Sequence, residues 1–166
     1  MIIYLVRHGE DENDVLTDLG KEQIEVLSKT LKQTKFDCIF SSPLERCKQT
    51  AKILKKKLGI NQIIIDERLK ERQYQKSSPK SQQEWELWNN YLNTNYKNQN
   101  FETCGDFFER VFLFLNHLKT QKKDKVLVVG HSALVYAFLS YFYGIKNGFA
   151  IWNGLTNSSC IMFELV

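Results

Sequence analysis

Four short apolar runs with no polar alternation punctuate the chain, at residues 2–6, 38–40, 63–65 and 126–129. Such runs suit strands of a sheet covered on both faces. Between them the apolar spacing changes to three and four. Ile24, Leu27 and Leu31 fall on one helical face, as do Cys47, Ala51, Leu54 and Leu58, and then Phe108, Val111, Phe112, Leu115 and Leu118. This alternation predicts an α/β fold, a three-layer sandwich with a mostly parallel central sheet and helices on both faces. Residues 134–145 are apolar almost throughout. They are shorter than the ~20 residues a bilayer crossing needs and read as a buried helix. The alternating, β-prone residues 157–166 suit an edge strand.

The second helix carries a start signal, with Ser42 as N-cap, Pro43 in the first helical position and Glu45 completing a capping box. Arg46 is thereby placed in or just after the first turn. Residues 73–99 break the pattern, being rich in Gln, Asn, Ser and Lys. They read as an insertion or lid within a single domain spanning 1–166, with a helix near 84–92 whose Trp85, Trp88 and Leu92 pack on the core.

At 166 residues the chain suits one domain, and 43% hydrophobic with 25% charged residues is the balance of a soluble globular protein. The formal charge of +4 is scattered apart from Lys55, Lys56 and Lys57, which read as a solvated face. No basic stripe interleaves with aromatic residues, so no nucleic-acid partner is expected. Cys38, Cys47, Cys104 and Cys160 form no C-x-x-C pair and read as reduced, buried thiols. With three His in the chain, no metal ligand set is expected. The apolar opening is cut off by Arg7 and His8, too early for a signal peptide, so a cytoplasmic protein without a membrane partner is expected.

Ligands of open parallel sheets bind beyond the carboxyl ends of the strands. The first strand leads into Arg7-His8-Gly9, the second through Ser41-Ser42-Pro43 to Arg46, and the last of the four into Gly130-His131-Ser132. Two Arg and two His therefore converge on one edge. Guanidinium groups match phosphate oxygens and stay charged, and neutral imidazole is a competent nucleophile toward phosphorus. His131, at a helix start, can donate to the same oxygens.

Arg7-His8-Gly9-Glu10, Leu16-Thr17-Asp18-Leu19-Gly20 with Gln23, Ser41 to Arg46 with Gln49-Thr50-Ala51, Leu69-Lys70-Glu71, and Val129-Gly130-His131-Ser132 come in order along the chain. In these motifs the sequence resembles the histidine phosphatase superfamily, in the phosphoglycerate mutase-like branch. The resemblance implies His8 as nucleophile, Arg7, Arg46 and His131 as the phosphate pocket, Glu71 as the proton donor to the leaving oxygen, and no cofactor. It also implies an Asn that touches phosphate, for which Asn13 is the candidate, standing one place early.

Other departures bear on the substrate. Glu10, Asp11, Glu12 and Asp14 make an acidic loop that should repel a second anionic group, and Gln73-Tyr74-Gln75 replace the family's glycine-containing stretch. The expected partner is a small-molecule phosphomonoester, hydrolysed through a phosphohistidine. A protein phosphohistidine phosphatase, a mutase-type phosphotransferase and a catalytically silent phosphate-binding relative are the alternatives. A serine hydrolase reading of Gly130-His131-Ser132-Ala133-Leu134 fails, because Leu134 replaces the needed Gly and no His follows Ser132.

Overall fold

Five strands form the central sheet in the order β5-β4-β6-β1-β7: β1 (Ile2–Arg7), β4 (Cys38–Ser41), β5 (Ile63–Ile65), β6 (Lys125–Gly130) and β7 (Cys160–Glu164). β1, β4, β5 and β6 pair in parallel, and β7 closes one edge antiparallel to β1. The molecule is seen in a computed structural model that describes residues 1–72, 102–152 and 155–166, apart from the Phe149 side chain. The expected insertion at 73–99 and its helix at 84–92 lie outside the described residues.

The unbroken apolar runs divide their side chains between two cores. Ile3, Leu5, Cys38, Phe40, Val126 and Val128 face one way, against α3 (Cys104–Lys119) and α4 (Ser132–Tyr143). Val6, Ile39, Leu127 and Val129 face the other way, against α1 (Asp18–Leu31) and α2 (Glu45–Leu58). Helices on both faces make the three-layer sandwich that the alternation predicted. Residues 63–65 depart from the buried reading: β5 is an edge strand and Ile65 is 46% exposed. An apolar run alone does not distinguish a central strand from an edge.

Three features are additional to the predicted elements. A hairpin of β2 (Asp11–Glu12) and β3 (Val15–Leu16) follows the first strand, a short 3-10 turn spans Glu67–Leu69, and α5 (Ile145–Trp152) follows α4. The start of α2 is a correction. Its N-cap is Leu44 rather than Ser42, and no cap bond comes from the Leu44 side chain. Ser42 Oγ does accept from the Leu44 amide at 3.3 Å, one step before the helix. No described helix is long and apolar enough to cross a membrane.

Candidate active site

His8 follows directly on β1 and is 5% exposed. Its ring nitrogens are distinguished by their partners. Arg46 Nε lies 3.1 Å from His8 Nε2, and a guanidinium can only donate, so Nε2 presents a lone pair. The proton then sits on Nδ1, 2.8 Å from the Gly9 carbonyl and 3.4 Å from Asp11 Oδ1. Burial pushes the His8 pKa down to about 4, with Arg46 and Arg7 adding to it and the Gly9 carbonyl and Asp11 opposing. The ring is therefore neutral near pH 7, and the nitrogen available for attack is Nε2.

Gly9 is required by close packing. A Cβ there would run into the Gly20 carbonyl oxygen at the start of α1. The turn is bolted down from both helices of this face. The Glu10 amide donates to Gln23 Oε1 at 2.9 Å, the Leu16 amide to Gln49 Oε1 at 2.9 Å, and the Gly9 amide to Thr50 Oγ1 at 3.4 Å. Thr17 caps α1, its Oγ1 accepting from the Gly20 amide at 3.0 Å.

Arg46 lies at the start of α2 and is held from three sides. Besides His8, Nη2 donates to His131 Nδ1 at 2.9 Å, and Nη1 pairs with Asp14 Oδ1 at 2.8 Å. Asp14 also accepts from the amides of Glu45 at 3.0 Å and Arg46 at 3.4 Å. A carboxylate from a distant hairpin thus takes the place of the local cap expected at Ser42, satisfying the first free amides of α2. Those bonds and the Arg46 charge hold the Asp14 carboxyl below its usual range, against the desolvation that raises it.

Asn13 is placed differently from the other candidates. Asn13 and Asp14 are the central residues of the β2–β3 hairpin and both have positive φ, at 51° and 65°. A two-residue turn of this hand favours Asn for its backbone. The Asn13 side chain is exposed. Its type is explained by the turn, and the hairpin residue that enters the cluster is Asp14.

His131 is fully buried at the N-cap of α4, its ring 5.3 Å from that of His8. Because Arg46 donates to Nδ1, the His131 proton is on Nε2, which donates to Ser42 Oγ at 2.7 Å. Cys47 Sγ stands 3.4 Å from the same nitrogen. Burial and the neighbouring Arg46 and His8 push the His131 pKa well below its ordinary value, and burial pushes the Cys47 thiol up. Arg7 reaches across to the Leu155 carbonyl through Nη1 at 3.3 Å, and its buried Nε has no hydrogen-bond partner among the described residues. Glu71 is half-buried, with its carboxyl at the inner end, where it accepts from the Arg72 amide at 3.0 Å and from the Ala133 amide. Burial raises its pKa, against those amides and the charges of Arg46 and Arg7.

The histidine phosphatase superfamily (branch 1) model matches residues 3–165. The chain belongs to the histidine phosphatase superfamily. It is 29% identical over 161 residues to the "Putative phosphoserine phosphatase 2" of Hydrogenobacter thermophilus, covering 86% of this chain and 79% of that one. Its fold is that of Bacillus stearothermophilus YhfR, at a TM-score of 0.81 with 22% identity, covering 98% of this chain and 90% of that one. The alpha-ribazole phosphatase from Shigella flexneri shares it too, at a TM-score of 0.77 with 22% identity, covering 99% and 90%.

In this member of the superfamily one guanidinium, that of Arg46, donates to the lone pairs of both imidazoles. Of the sequence-predicted residues, His8, Arg46 and His131 stand in direct contact, while Arg7 and Glu71 interact electrostatically with each other and with Arg46. Asp14, Ser42, Cys47 and Asp11 are contacts that sequence reasoning did not assign. Asp11 and Asp14 left a signal, being part of the acidic run beside the pocket. Among the described residues no group of three or more His, Cys, Asp or Glu is gathered that could hold a metal ion.

Proposed function

We propose that the protein is a phosphatase that hydrolyses a small-molecule phosphomonoester through a covalent phosphohistidine on His8. The observation that carries this reading is the single guanidinium of Arg46 bonded at once to His8 Nε2 and His131 Nδ1, at 3.1 and 2.9 Å. It fixes both tautomers and leaves the nucleophilic nitrogen unprotonated.

In the first step the His8 Nε2 lone pair attacks phosphorus while the bond from phosphorus to the ester oxygen breaks. Glu71, whose pKa burial raises, gives its proton to that oxygen. Arg7, Arg46 and His131 take up the charge spread over the transferring oxygens, and the unmatched Nε of Arg7 suits that role. In the second step water attacks the phosphohistidine, its proton passes to the Glu71 carboxylate, and the N–P bond breaks to release inorganic phosphate.

Asp11 and Asp14 set the preference among phosphoesters. One lies 3.4 Å from the nucleophilic ring and the other pairs with Arg46, so a second phosphate or a carboxylate beside the reacting group meets repulsion. This favours simple monoesters over bisphosphates and phosphoglycerates, and hydrolysis over transfer back to substrate. The test is turnover of 4-nitrophenyl phosphate in EDTA by wild type and His8→Ala. Turnover that survives EDTA and disappears with His8 is expected; near-normal activity in His8→Ala would overturn the mechanism.

A further inference from the structure

We infer that Arg110, on α3 and outside the residues given a phosphate role, is the positioning residue for the proton donor Glu71. This inference rests on the acid role proposed for Glu71. After the Glu67–Leu69 turn the chain runs through Lys70, Glu71 and Arg72 without pairing to a strand or entering a helix. Something other than secondary structure must therefore hold this stretch.

Every donor of the Arg110 guanidinium is committed there. Nη1 donates to the carbonyls of Arg68 at 2.6 Å and Lys70 at 2.9 Å, and Nη2 to the carbonyl of Glu71 itself at 3.2 Å. The remaining two N–H groups form a bidentate pair with Glu102, Nε to Oε1 at 2.6 Å and Nη2 to Oε2 at 2.8 Å. Five N–H groups meet five acceptors, the full capacity of an arginine. The guanidinium also lies over the Phe107 ring, 4.6 Å from its centroid. Residue 102 is tied to the same stretch from the other side, because buried Arg72 donates through Nε to the Glu102 carbonyl at 3.0 Å.

The Arg110 charge is paired with the Glu102 carboxylate, and what the guanidinium supplies to the Glu71 backbone is geometry. A lysine could replace the charge but not the fork. The account predicts a specific signature: loss of Arg110 impairs proton donation to the leaving oxygen and leaves phosphate binding alone.

The experiment compares kcat/KM for phenyl phosphate and 4-nitrophenyl phosphate, two esters of similar size whose leaving groups differ in their need for a proton. Glu71→Gln is expected to lose on the order of 100-fold on phenyl phosphate and far less on the nitrophenyl ester. Arg110→Lys should show the same bias in weaker form, about 10-fold against less than about 2-fold, since displacing a catalytic group by a fraction of an ångström is costly. Competitive inhibition by inorganic phosphate should be unchanged in both. If Arg110→Lys does not fold, Glu102→Gln, which loosens the same fork, carries the comparison.

If Glu71→Gln shows the bias while the folded Arg110→Lys and Glu102→Gln lose both substrates equally, or neither, Arg110 is structural only and the inference is overturned. If Glu71→Gln itself shows no bias, the acid role leaves Glu71 and the inference falls with it.

Discussion

In the proposed phosphate pocket, His8 and His131 each follow immediately on a strand and Ser42 comes directly after Ser41 closes β4, whereas Glu71 comes six residues after β5 has ended at Ile65. The first group inherits its position from the ladder of the sheet. The second is held by individual bonds, chiefly those from the Arg110 side chain on α3 to the carbonyls of Arg68, Lys70 and Glu71. Both regions lie on the same edge, yet a fault in one should have a different character from a fault in the other. Damage to the pocket weakens the handling of every phosphoryl group, while damage to the Glu71 stretch matters in proportion to how badly the leaving oxygen needs a proton.

Arg46→Ala sharpens this contrast with the largest expected effect. It should lower kcat/KM on the order of 100- to 1000-fold, by the same factor for phenyl and 4-nitrophenyl phosphate, and weaken inhibition by inorganic phosphate. Steady-state kinetics on the two esters checks it. A strong leaving-group bias in this variant would erase the distinction between the two regions.

A second expectation concerns pH. His8 has a folded-state pKa of about 4, below the ordinary value near 6.5, so between those pH values the unfolded chain binds more protons than the folded one. Stability therefore rises with pH through this window and is lost as pH falls from about 6.5 toward 4, by up to about 3 kcal/mol. Urea melts of wild type and His8→Ala between those limits should show a shallower slope for the variant. Equal slopes would mean that His8 is not held neutral by its surroundings.

The smallest expected effect is that of the hairpin. Asp14→Ala removes the cap on α2 and should cost about 1 kcal/mol, seen as a melting temperature lower by about 2–4 °C. Asp14→Asn, which can still accept an amide, should fall between this variant and wild type. No change in Asp14→Ala would show that the hairpin does not order the helix that carries Arg46.

The same structural contrast governs how much was legible in the sequence. The three-layer fold, the edge strand and the convergence of Arg7, His8, Arg46 and His131 follow from apolar periodicity and from what each strand leads into. These are local signals. Glu71 needed the Leu69-Lys70-Glu71 match, since spacing alone did not separate it from Asp66 or Glu67. Asp14 and Arg110 act across 32 and 39 residues, on Arg46 and on the Glu71 carbonyl respectively. No local pattern announces such a bond. The Ser42 cap failed for the same reason, a distant carboxylate having displaced the nearby hydroxyl.

The central claim is the covalent bond between His8 and phosphorus. Its most direct test is rapid mixing of the protein with 4-nitrophenyl phosphate and quenching in alkali, which preserves phosphohistidine, followed by mass spectrometry of the peptide containing residue 8. The account predicts a phosphorylated His8 that builds up within the first turnover and is absent from His8→Ala. Turnover with no phosphorylated His8 at any time, or phosphate on another residue, would contradict it.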